Sequence, residues 1–119
     1  GNPLSCAAGL KMIELVEGGL LENARKMGAY LTGKLDAVAR KLPHLGASRG
    51  LGLMLAVDVL KNGELDHDRR DRIVQAAFER GLLLLGCGFG SIRFLPPMNV
   101  TRTEIDATLS VFDEAARTT

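Results

Sequence analysis

Leu53-Met-Leu-Ala-Val-Asp-Val59, then Asn62-Gly63, Asp66 and the run Arg80-Gly-Leu-Leu-Leu-Leu85, decide the fold. The first stretch is the clearest strand in the chain, rich in aliphatic residues. Asn62-Gly63 is a turn signal, because both residues tolerate the positive φ that a tight turn needs. Asp66 is placed to cap a helix, with Asp68 and Asp71 favourable in its first turns. Ile73, Val74, Ala77 and Phe78 form the inner face expected of that helix, and Arg80-Gly81 closes it. Leu82–Leu85 reads as a second, short buried strand. The stretch from 53 to 85 is thus strand, helix, strand, and is long enough for a crossover.

Downstream, Gly86-Cys-Gly-Phe-Gly90 reads as a flexible link to a third strand, Ser91-Ile-Arg-Phe-Leu95, which Pro96-Pro97 ends. Leu82–Leu95 is close enough in sequence for a hairpin. Thr101-Arg-Thr-Glu104 fits a capping box, and Ile105, Leu109, Phe112 and Ala116 share one face of the helix it opens. Upstream, residues 44–52 read as loop or short strand. Leu20, Ala24, Met27, Leu31, Leu35, Val38 and Leu42 recur every three or four residues, one stripe of a helix that Pro43 stops. Residues 4–17 carry apolar side chains on more than one face, the pattern of a helix buried on several sides. Gly18-Gly19 ends or kinks it. A chain this small cannot supply several-sided burial, so a neighbour outside it is expected, and Gly1-Asn2-Pro3-Leu4, without an initiator Met, reads as the interior of a longer chain. The expected architecture is α+β: a small three-stranded, partly antiparallel sheet covered by helices. Residues 1–42 are expected to be a helical link to a larger domain and 43–119 a small C-terminal domain.

Composition narrows the function. With 46% apolar and 24% charged residues the chain is globular rather than disordered. A net charge of +1 leaves no electrostatic footprint for nucleic acid or an anionic membrane, and no apolar run is long enough to span a bilayer. No secretory signal is visible, and Cys6 and Cys87 are far apart, so a reduced, cytoplasmic chain is the simple expectation. His44 and His67 have no second ligand type at metal spacing. Cys87 has no local activating base, and Cys6 lies on the first helix. The glycine-rich stretches lead into strands, whereas a phosphate loop runs from strand to helix. Arg49 can pair with an acid from outside the chain or stand as a surface charge. Arg93 stands out: alternation puts Ile92 and Phe94 on one face of the strand and Arg93 on the other. There it is either a solvated surface charge or, if the face lines a cleft, a bidentate grip for a carboxylate.

Taken in order, Gly1-Asn2-Pro3-Leu4-Ser-Cys-Ala-Ala8, Arg49-Gly-Leu-Gly-Leu-Met54, Arg80-Gly-Leu-Leu83, Ile92-Arg-Phe-Leu-Pro-Pro97 and Thr101-Arg-Thr-Glu-Ile-Asp106 resemble the C-terminal segment of class III aminotransferases, nearest the 4-aminobutyrate and acetylornithine types. The resemblance covers essentially the whole chain. It implies a fold-type I, pyridoxal-phosphate-dependent enzyme, a homodimer, that moves an amino group from an amino donor to a keto acid such as 2-oxoglutarate. It implies that Arg93 binds the substrate α-carboxylate. It also implies that the Schiff-base lysine, the acid on the pyridine nitrogen and the aromatic stacked on the ring lie outside this chain. Lys11, Lys26, Lys34, Lys41 and Lys61 match none of those positions. No catalytic, cofactor-binding or metal-binding residue is expected here, and the chain alone is expected to be inactive. A racemase or aminomutase of the same family is the alternative reading. A free-standing ligand-binding or interaction module is the alternative from another class.

Overall fold

The alternating residues of the sequence's clearest strand run as β2 (Met54–Lys61), with Leu55, Val57 and Val59 buried and the residues between them exposed or half-buried. The structure, a computed structural model, describes residues 1–119. β2 pairs antiparallel with β1 (Leu45–Leu51) on one side and β5 (Ser91–Phe94) on the other; β4 (Leu85–Cys87) forms the edge beyond β5. A two-residue strand, β3 (Glu64–Leu65), folds back on the end of β2. The turn between them is Asn62-Gly63, with φ of 55° and 85°, the conformation that a right-twisted hairpin prefers.

The expected three-stranded, partly antiparallel sheet is therefore five-stranded, and every pairing is antiparallel. Residues 45–51 form a full strand because they close a hairpin with β2, although their glycines weaken the local strand pattern. The strand expected at Leu82–Leu85 is shifted to Leu85–Cys87, taking in part of the expected link. Its register follows from β5, where Leu85 faces Arg93 and Cys87 faces Ser91. The crossover expectation holds in split form. α3 (His67–Glu79) connects β2 to β4, which are parallel to each other with β5 inserted between them.

Three helices cover one face of the sheet. α2 (Leu21–Ala39) contributes Met27, Leu31, Leu35 and Val38, so the expected stripe is the one buried. α4 (Arg102–Arg117) buries Ile105, Leu109, Phe112 and Ala116, and Phe112 meets Phe94 of β5 edge to face, centroids 5.1 Å apart. α3 departs from expectation. Ile73 and Ala77 are buried, but Phe78 is 59% exposed and Arg70 is only 6% exposed. The buried stripe follows 70, 73 and 77, the helical spacing, and Phe78 falls outside it. Arg70 fits because its guanidinium lies over Gly86 of β4, where a Cβ would come within 2.6 Å of Nη1, and its Nε pairs with Asp71 at 2.6 Å.

α1 (Pro3–Leu15) stands apart from this core. The side-chain oxygen of Asn2 caps it, accepting from the Leu4 N–H at 2.9 Å, and Pro3 occupies its first turn. It joins α2 through a π-helical turn at Val16–Leu20, kinked where Gly19 takes a φ of 139°. None of its residues is buried within the chain, and Leu4 and Leu10 are 79% and 70% exposed. The several-sided apolar pattern has no partner here, and the molecule is correspondingly long, 52 × 27 × 25 Å.

Candidate functional site

Helices bury one face of the sheet; the other face is open, and register assigns its residues. Leu85, Arg93, Ala56 and Arg49 lie in one row across β4, β5, β2 and β1. Cys87, Ser91 and Asp58 form the next row on the same face. Arg93 is exposed, whereas its neighbours Ile92 and Phe94 point into the core at 0% and 3% exposure. The alternation read from the sequence is therefore the one observed.

Arg49 and Asp58 form an ion pair at 2.6 Å. Ser91, only 4% exposed, stands between them: its hydroxyl accepts from Nη2 of Arg49 at 3.0 Å and donates to Oδ1 of Asp58. Arg49 thus finds its acid inside the chain. Asp58 is the one acidic residue in β1, β2, β4 and β5. Arg93 makes no ion pair or side-chain hydrogen bond. Within this chain it is a cation without an acid partner, held on β5. A cavity of about 260 Å³ opens beside it at the sheet edge, walled by Leu83, Leu85, Phe94, Leu95 and Pro96 and, from the helix side, by Leu31 of α2 and Ile105 of α4. Apolar walls of this kind strengthen a charged hydrogen bond by excluding water.

His44 Nε2 lies 3.1 Å from the Ala116 carbonyl, and burial, then the Arg69 charge, pushes its pKa down. His67 packs against Phe89 with the rings tilted at 44°, and lies beside Asp68 and Asp71. No group of side chains has the makings of a metal site. Cys6 is exposed and Cys87 half-buried, both as free thiols.

The lysines do not fit a Schiff-base role. Lys11 pairs with Glu14 at 2.8 Å and Lys26 lies 3.5 Å from Glu22. Lys41 and Lys61 are exposed. Lys34 is raised above the ordinary lysine value by the Tyr30 hydroxyl and by Asp106, 3.1 Å away. An imine-forming lysine needs the opposite shift, which desolvation provides. All five lysines are exposed, so none has within this chain the desolvated setting of an imine-forming lysine.

Sequence reasoning missed the two partners that Arg49 finds beside Arg93, Asp58 and Ser91. Asp58 left a signal, since it interrupts an apolar strand at the outward parity. Ser91 left none, because its burial depends on what packs over it.

Comparison with known proteins gives a consistent result. The sequence model of the family described as "Aminotransferase class-III" matches residues 1–116. The chain is 36% identical to the 4-aminobutyrate aminotransferase of Escherichia coli, covering 97% of this chain and 29% of that protein. It is also 36% identical to an acetylornithine aminotransferase of Caldanaerobacter subterraneus, covering 96% and 28%. Among solved structures, it superposes on a lysine aminotransferase from M. tuberculosis with a TM-score of 0.82 at 31% identity, over 90% of this chain and 24% of that one. A Bacillus anthracis aminotransferase gives 0.91 at 26% identity, over 99% and 29%. The chain spans less than a third of the length of the curated relatives it matches.

Proposed function

The chain belongs to the class-III aminotransferase family, and on that premise we propose that it serves as the C-terminal part of a pyridoxal-phosphate-dependent aminotransferase, with Arg93 as its substrate-binding residue. The observation that carries this is the isolation of Arg93: a cation with no acid partner within this chain, on the open face of the sheet, beside an apolar cavity. A planar guanidinium presents two parallel N–H groups to a carboxylate, which fixes the orientation of an amino or keto acid as well as its affinity. When bound, pyridoxal phosphate supplies the electron sink for amino transfer. This chain's contribution is to hold the carboxylate while residues elsewhere in the protein act on the amino carbon.

The names of the relatives support a 4-aminobutyrate-like or ornithine-like donor; the keto-acid acceptor, such as 2-oxoglutarate, is part of the same proposal and rests on the family resemblance. The open sheet face and the unpartnered α1 support a homodimeric enzyme in which both surfaces are covered; a cytoplasmic location belongs to the same proposal. No helix is long and apolar enough to cross a membrane. Residues 1–42 then lead from the larger domain, with α2 reaching over the sheet, and 43–119 form the small domain. On this reading the isolated chain has no transaminase activity.

Arg93→Ala in the full-length enzyme tests the assignment. Steady-state kinetics should show kcat/KM for the keto acid falling by the equivalent of about 2–5 kcal/mol, as when one partner of a desolvated charge pair is truncated. Unchanged kinetics would remove Arg93 from the site.

A further inference from the structure

We propose that Arg49 is a positioning residue: by saturating Asp58 it keeps Arg93 free for the substrate carboxylate. This rests on the role of Arg93 proposed above. Asp58 faces Ser91, and Ala56 faces Arg93, so Asp58 is the diagonal neighbour of Arg93 on the same sheet face. Diagonal neighbours stand about 7–8 Å apart, within reach of a long side chain. Arg49 and Arg93 flank Ala56 from opposite sides in one row. The sole acid of these four strands therefore has an arginine on either side and can be held by one or the other.

The structure shows which arginine holds it. Arg49 Nη1 contacts Oδ1 of Asp58 at 2.6 Å, and the Ser91 hydroxyl donates to that same oxygen while accepting from Arg49 Nη2 at 3.0 Å. The three side chains close a ring that spans β1, β2 and β5. Asp58 is thereby engaged away from Arg93. Without Arg49, Asp58 would be an unpaired carboxylate, half-buried, with Arg93 as the remaining arginine on its sheet face. Capture of Arg93 by Asp58 would then compete directly with the substrate carboxylate.

The roles of the two ring members are thus unequal. Arg49 protects the site, whereas Asp58 is the hazard it neutralises. An ordinary bracing ion pair would suffer equally from loss of either partner. The test is steady-state kinetics of the full-length enzyme with 2-oxoglutarate as the probe. Arg49→Ala should raise KM about fivefold, the worth of one partly exposed ion pair, with kcat within about twofold. Arg49→Lys should recover most of the loss. Asp58→Asn alone should keep the wild-type KM, and so should Arg49→Ala combined with Asp58→Asn. If Arg49→Ala does not fold, Arg49→Gln and the double variant make the same comparison. Equal damage from Asp58→Asn, or no recovery in the double variant, would overturn the proposal. If Arg93→Ala raises KM and Arg49→Ala does not, this inference fails alone; if Arg93→Ala changes nothing, the proposed role of Arg93 fails first.

Discussion

His44 illustrates how a single residue ties stability to pH in this fold. Its ring is packed beneath the end of α4, where burial and then Arg69 disfavour the imidazolium, while the Ala116 carbonyl partly opposes them. The folded pKa therefore lies below the unfolded value of 6.5. Above 6.5 both states are neutral and the contribution is complete. As pH falls below it, the unfolded chain takes up the proton first, and stability is lost until the folded pKa is passed. Urea denaturation across this range should show that slope in the wild type and a flatter one in His44→Gln. Arg93 belongs at this scale too. Its outward direction was legible because alternation has a period of two. Its lack of an acid partner was not, because Asp58 and Arg49 reach the same face only through strand pairing.

At the scale of elements, α4 is the most self-specified part of the chain. The Thr101 hydroxyl accepts from the Glu104 N–H at 3.3 Å, and the Glu104 carboxylate accepts from the Thr101 N–H at 2.8 Å. That reciprocal pair satisfies two donors that the first helical turn would otherwise leave without partners. The Thr101 N–H, and then the Thr101 hydroxyl donating to the same carboxylate at 2.8 Å, hold Glu104 below its ordinary value of 4.5. Its contribution is therefore present above 4.5 and is lost as pH falls through the folded pKa. Thr101→Ala should cost about 1 kcal/mol by chemical denaturation, and an NMR titration should find Glu104 shifted back upward. No change in either would mean that packing alone, through Leu109 and Phe112, fixes this helix.

For the whole molecule, the governing feature is asymmetry. One sheet face and the inner sides of α2, α3 and α4 form a closed core, while α1 and the opposite sheet face offer apolar side chains to solvent. Leu4, Leu10, Met12 and Ile13 of α1 are all more than half exposed. Contiguous apolar surface promotes association. Sedimentation of the isolated chain should therefore reveal dimers or larger species, and Leu10→Lys with Ile13→Lys should shift them toward monomer without altering the circular dichroism spectrum. A clean wild-type monomer at about millimolar concentration would contradict this.

The chain by itself determined what local periodicity can encode. The α2 and α4 stripes, the Asp66 and Thr101 caps, the Asn62-Gly63 turn and the two faces of β5 all depend on residues within a few positions of each other. The order of short family-like stretches, from Gly1-Asn2-Pro3-Leu4 to Thr101-Arg-Thr-Glu104, is itself enough to point to class III. Tertiary structure alone decided the rest: that 45–51 is a strand, that the edge strand begins at Leu85, that Arg70 rather than Phe78 is covered, and that Arg49 closes on Asp58 and Ser91. Each of these depends on segments far apart in sequence, and the free energy that selects among them is released only when those segments pack together.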